Sequence, residues 1–220
     1  MKLNALRSTV SPHPFLSRSA WLSTLGLWFL LSLPALCLAQ TPDLAGVHYP
    51  PSLTVERVPL VLNGGGISYR AVAKVYTVGL YLTSKTNKAS KALALTGPKQ
   101  LRFVLLQKLG TDELSRLIAS GIDRNSSPEE LQLMRPARAE MDKQLSLIKL
   151  LSAGDIFCIE WAPKRGTVFS VNGQPAGPAI EEPSLYPALL RVWLGKKPNS
   201  PTLKDALLDN QEPAVAHALD

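Results

Sequence analysis

KVYTVGLYL, residues Lys74 to Leu82, has the composition of a strand. Val, Tyr and Thr suit a pleated, half-buried surface, and the lone Gly79 marks a close backbone approach or a bulge. Working outward, Leu53–Leu62 and Ser68–Thr83 are β-rich, and Asn63-Gly64-Gly65-Gly66 between them carries a turn signal. Downstream, Lys88–Leu95 predicts a short helix closed by Gly97-Pro98, and the apolar run Leu101–Leu106 predicts a buried strand.

Two helices are expected next. Thr111 is placed to cap the first, with Asp112 and Glu113 in its opening turn and Leu114, Leu117, Ile118 and Ile122 on one face. The second spans Ser127–Leu151 and carries Leu131, Met134, Met141, Leu145 and Ile148, with a break or kink expected at Pro136. Strands return at Asp155–Trp161 and Thr167–Val171 across Pro163-Lys164-Arg165-Gly166, and Asn172-Gly173 supplies a further hairpin turn. Pro183 opens a helix with the stripe Leu185, Leu189, Val192 and Trp193, ended by Gly195; Ser200-Pro201 opens a last one through Leu208. Strands, helices, hairpins and helices in that order predict an α+β domain, an antiparallel sheet covered by a layer of helices.

The N-terminus reads differently. Lys2, Arg7 and Arg18 are its only charges, followed by the uncharged, Leu-rich Ala20–Ala39, ending in Cys37-Leu38-Ala39. That layout predicts a signal peptide over residues 1–39, with an uncleaved anchor over 20–39 as the alternative, since about 20 apolar residues can span a bilayer. An extended lead-in (40–52), one domain (53–208) and a loose tail (209–220) complete the expected organisation. Removing the leader takes three of the 24 basic residues and none of the 17 acidic ones, so the net charge falls from +7 to +4. No dense basic cluster with interleaved aromatics points to nucleic acid. Cys158 is then the sole cysteine, so no disulfide within the mature chain is expected. His13, His48 and His217 form no metal-binding spacing, and no nucleotide motif occurs, so neither metal nor cofactor is expected.

Taken in order, LNGGGISYRAVAKVYTVGLYL (Leu62–Leu82), the Leu-rich strand with its TDEL helix, GDIFCIEWAPKRGTVFSVNG (Gly154–Gly173) and the WLGKKP…LKDALL ending resemble the chalcone isomerase-like superfamily, in particular its secreted bacterial members. The resemblance implies an open-faced β-sandwich with a ligand cleft between its large antiparallel sheet and its helices. It also places the family's catalytic positions. The arginine that steadies the attacking phenolate becomes Ser68, with Arg70 one strand repeat further on. The polarising threonine becomes Tyr76. The tyrosine and asparagine of the following helix become Leu114 and Gly121, and the substrate-binding threonine or serine of the WLG helix becomes Val192.

Losing several preorganised donors, each often worth a factor of ~10²–10³, argues against chalcone cyclisation, so no catalytic residues are assigned. Arg70 and Tyr76 are instead matched to the arginine and tyrosine that hold a carboxylate in fatty-acid-binding relatives of the family. The expectation is an exported, periplasmic protein binding a small apolar or amphipathic ligand with Arg70, Tyr76, Ser68, Leu114, Gly121 and Val192. An intramolecular lyase on another substrate, and an interaction module with a filled cleft, are the alternatives. Contact with a membrane is expected only through an uncleaved leader.

Overall fold

A computed structural model of the protein describes residues 43–148 and 150–210. The leader, and the tail beyond Asn210, lie outside the described residues. The centre of the fold is one seven-stranded sheet: β1 (Ser52–Val55), β2 (Val58–Arg70), β3 (Ala73–Leu82), β4 (Lys99–Leu105), β5 (Ile156–Ala162), β6 (Gly166–Val171) and β7 (Gln174–Pro175). Each strand pairs antiparallel with the next in the chain, an uninterrupted meander. Helix α1 (Ala89–Ala94) joins β3 to β4; α2 (Thr111–Asn125), α3 (Pro128–Leu133) and α4 (Arg135–Leu147) join β4 to β5; α5 (Leu185–Leu194) and α6 (Pro201–Leu207) close the chain. Alternation along β3 and β4 sends Val78, Leu80, Leu101 and Phe103 to the helix side, where they form the main core with Ile118, Ile122, Met141, Leu189 and Trp193. This is the α+β, open-faced sandwich expected.

Asn63–Gly66 is not a turn. The run lies inside β2, and a bulge between Leu62 and Gly64 leaves Asn63 without a strand partner. The glycines are needed for close approach rather than for chain reversal. A Cβ on Gly64 would lie 2.3 Å from the Ala206 carbonyl oxygen, and one on Gly66 would lie 2.8 Å from Ala206 Cβ, because α6 lies directly on the strand. Buried Asn63 fastens this crossing: its Nδ2 donates to the Leu207 carbonyl (2.7 Å) and its Oδ1 accepts from the Thr86 amide (2.7 Å). The true reversals are at Glu56-Arg57 and Ala71-Val72, with Glu56, Arg57 and Ala71 all at positive φ.

The lead-in is part of the fold. Asp43–Leu44 pairs with Val47–His48, and Tyr49 then covers the sheet face opposite the helices. Tyr49 packs against Gly79, where an added Cβ would meet its ring at 2.7 Å, so Gly79 serves the close approach expected of it. Its hydroxyl hydrogen-bonds Thr77 Oγ1 at 2.8 Å. At the other end, Asp209 lies 3.9 Å from Lys85, and Asn210 Nδ2 donates to the Asn87 carbonyl at 3.0 Å.

Thr111 begins α2 rather than capping it; Gly110 is the cap and makes no side-chain bond. The expected long second helix divides at Met134, and Pro136 falls in the first turn of α4, where its missing N–H costs nothing. Ser127 and Glu130 form a reciprocal capping box that opens α3. Cys158 is a buried, free thiol whose pKa is raised by burial.

Candidate functional site

A second bulge builds the site. Pairing runs Ser68 to Tyr76 and then Tyr69 to Lys74, so Val75 is the extra residue in β3. A bulge re-aims side chains, and here both Val75 and Tyr76 are buried although they are neighbours in a strand. With Ser68, Tyr69 and Arg70 on β2 they form one wall of a half-open cleft of about 220 Å³; Leu109, Glu113, Leu114 and Leu117, in and before the start of α2, form the other. A larger hollow of about 530 Å³ lies between α3 and α4. It is shallow and open, and its Arg138 is already paired with Asp123 at 2.9 Å, so it encloses little.

The cleft floor is aromatic. Tyr76 stands edge-on to Phe103, with centroids 5.4 Å apart, and Phe103 packs on Trp193 at 5.1 Å. The Trp193 indole N–H donates to the Tyr76 hydroxyl oxygen at 3.4 Å, and the Ser68 side chain also hydrogen-bonds that hydroxyl. Burial raises the Tyr76 pKa, so the phenol stays protonated at neutral pH. It is a donor held in place, not a base.

Arg70 Nη2 and Glu113 Oε1 form an ion pair across the mouth. Both side chains are more than a third exposed, so the pair contributes at most about 1 kcal/mol. A ligand carboxylate can therefore displace Glu113 from the guanidinium at small cost. The chemical inventory is a cation paired with a carboxylate, three hydroxyls (Ser68, Tyr69 and Tyr76) and an apolar lining of Val75, Leu109, Leu114 and Leu117.

Of the residues expected at the site, Ser68, Arg70, Tyr76 and Leu114 come together in the cleft. Gly121 and Val192 do not line it. They meet each other where α2 crosses α5, and a Cβ on Gly121 would lie 2.5 Å from Val192 Cγ1. Gly121→Ala is expected to destabilise by about 1–3 kcal/mol through overpacking, and Val192→Ala by a comparable amount through the space it leaves. In the double variant the two defects relieve each other, and urea denaturation should show a total clearly below the sum. Additive costs would contradict the contact.

Sequence reasoning missed Tyr69, Val75, Leu109, Glu113 and Leu117 as parts of the site. Glu113 had a sufficient explanation in the helix dipole, and nothing local announces the bulge that turns Val75 inward.

The model of a family described as chalcone isomerase-like matches residues 41–209. Among solved structures, the crystal structure of an Arabidopsis thaliana fatty-acid binding protein matches with a TM-score of 0.50 and 16% identity, covering 75% of this chain and 93% of that one. At this identity the likeness is one of fold. No curated protein matches the chain. A family match over nearly the whole described region, on a helix-covered antiparallel meander with the cleft at its edge, fixes the assignment: the chain belongs to the chalcone isomerase-like family.

Proposed function

We propose that the protein is a non-catalytic carrier or receptor for a small amphipathic molecule of fatty-acid type, exported by its N-terminal leader. The observation that carries this reading is the cleft itself: an apolar lining, one exchangeable cation at the mouth, and a protonated tyrosine donor within. A carboxylate headgroup would take the Arg70 guanidinium in a charge-assisted bond and accept from Tyr76 or Ser68, leaving its chain against Leu114 and Leu117. The structural neighbour named as a fatty-acid binding protein supports the ligand class. The volume of about 220 Å³ is below the usual range of ligand pockets, which favours a medium-length chain. The outer cleft is half-open, which favours ligand binding over the filled-cleft interaction module, although its expected inner part is closed by the Gly121–Val192 contact.

The test is a titration of the purified protein with decanoate, followed by calorimetry. Arg70→Ala is expected to weaken binding about tenfold, since a hydrogen bond to a charged group contributes roughly 1.5 kcal/mol or more. Tyr76→Phe should weaken it severalfold without unfolding the protein. Wild-type protein with no affinity for carboxylates of this length would sink the reading.

A further inference from the structure

Turn chemistry singles out the free end of the β2–β3 hairpin. The other hairpin ends of the sheet are polar: Glu56-Arg57, Pro163-Lys164-Arg165 and Asn172-Gly173. This one reads Tyr69-Arg70-Ala71-Val72-Ala73-Lys74. Ala71 has φ 51, the left-handed region where Gly, Asn or Asp fit best. Val72 is 94% exposed and Tyr69 is 55% exposed. An aliphatic tip on a strained turn gains nothing for the fold, so its chemistry points outward.

A second apolar edge stands beside it. Leu109 lines the same cleft as Tyr69, and the strand it begins pairs with Leu150–Leu151, which brings the half-exposed Leu150 opposite Gly110. Exposed cations flank these side chains: Arg70 and Lys74 on the hairpin and Lys108 before Leu109. Asp112 and Glu113 are the nearby acids, and Glu113 is engaged by Arg70; Lys74 and Lys108 make no ion pair among the described residues.

We infer that this end of the molecule docks on an anionic lipid bilayer. Val72 enters the boundary between headgroups and acyl chains, and Tyr69 lies at headgroup depth, where its ring is apolar and its hydroxyl wet. Lys74 and Lys108, neither in an ion pair among the described residues, meet the lipid phosphates. The inference stands on the exposed surface alone and not on what the cleft holds. If the cleft takes an amphiphile, docking sets its mouth against the membrane from which such a molecule would come.

The experiment uses the exported form from Gln40 onward, so that no apolar leader touches the vesicles and an environment-sensitive nitrobenzoxadiazole label reacts at one introduced thiol while Cys158 stays buried. One protein is labelled at Val72→Cys. The other is labelled at Lys164→Cys, in the β5–β6 turn at the opposite end of the strands. On vesicles of phosphatidylglycerol and phosphatidylcholine, the label at position 72 should shift to the blue and be quenched by spin-labelled lipid, while the label at 164 should not. Lys74→Ala should weaken vesicle binding about fivefold, the effect of one surface charge. Equal responses at 72 and 164, equal responses on neutral vesicles, or no response at 72 would each overturn the inference. So would a shift at 72 that needs only more protein and no lipid, which would mark a contact between copies of the chain.

Discussion

Trp193→Ala should lower the unfolding free energy by about 4 kcal/mol, within the ~3–5 kcal/mol range for truncating a buried aromatic. Trp193 is almost completely buried and supports the sheet side of the site: its ring packs on Phe103 at 5.1 Å, and its N–H reaches the Tyr76 hydroxyl at 3.4 Å. The loss is a large share of the ~5–15 kcal/mol that stabilises a domain. The variant is therefore expected to be folded but marginal, with a urea midpoint well below wild type. Trp193→Phe separates the two contributions. It keeps an aromatic ring against Phe103 and removes the indole donor, so its cost should be much smaller than that of the alanine variant. Tyr76 then keeps only Ser68 as a partner for its hydroxyl, and decanoate affinity should fall. A cost under about 2 kcal/mol for Trp193→Ala would mean that the floor is not packed as described.

Gly64→Ala should cost about 3 kcal/mol, the upper end of ordinary overpacking. The added methyl would meet the Ala206 and Leu207 carbonyl oxygens at 2.3 and 2.8 Å, and these belong to the main chain of α6, which cannot rotate aside. The helix is also held from below by the Asn63 bond to Leu207. Gly110→Ala is the control, because a Cβ there has nothing within 4 Å and no positive φ opposes it; its effect should stay at or below the roughly 1 kcal/mol that alanine costs at a helix N-cap. Similar small costs at both positions would return Gly64 to an ordinary strand residue and remove the reason for the glycine run.

That glycine run shows where local reading stops. Glycine serves both φ > 0 and close approach, and the residues around Gly64–Gly66 do not distinguish the two uses. What decides between them is α6, whose Leu207 is 144 residues from Asn63 in sequence. Features with a local cause were legible: the β-rich Lys74–Leu82, the Asn172-Gly173 reversal, the Ser200-Pro201 helix start and the divided helix around Pro136. The Thr111 cap failed because Gly110 already takes that position and Thr111 is buried as the first helical residue.

The site divides in the same way. Ser68 and Tyr76 came from family positions and Arg70 from one strand repeat beyond Ser68; the reversal at Ala71-Val72 that sets Ser68 opposite Tyr76 lies inside what reads as the single β-rich stretch Ser68–Thr83. Gly121 and Val192, inferred from family positions, belong to a helix crossing whose closeness only the packed structure reveals. Glu113 opposite Arg70 was hidden for the opposite reason, since one physical role already accounted for it.

The central claim is that the hollow between Tyr76 and α2 is where an amphiphile binds. Amide chemical-shift mapping of isotope-labelled protein during a decanoate titration tests it most directly. The largest shifts are expected in Ser68–Tyr76 and Leu109–Leu117, saturating together, and in Arg70→Ala they should need about tenfold more decanoate to saturate. Saturating shifts confined to the α3–α4 hollow lined by Leu131, Arg135 and Asp142, or no shifts at any ligand concentration, would contradict it.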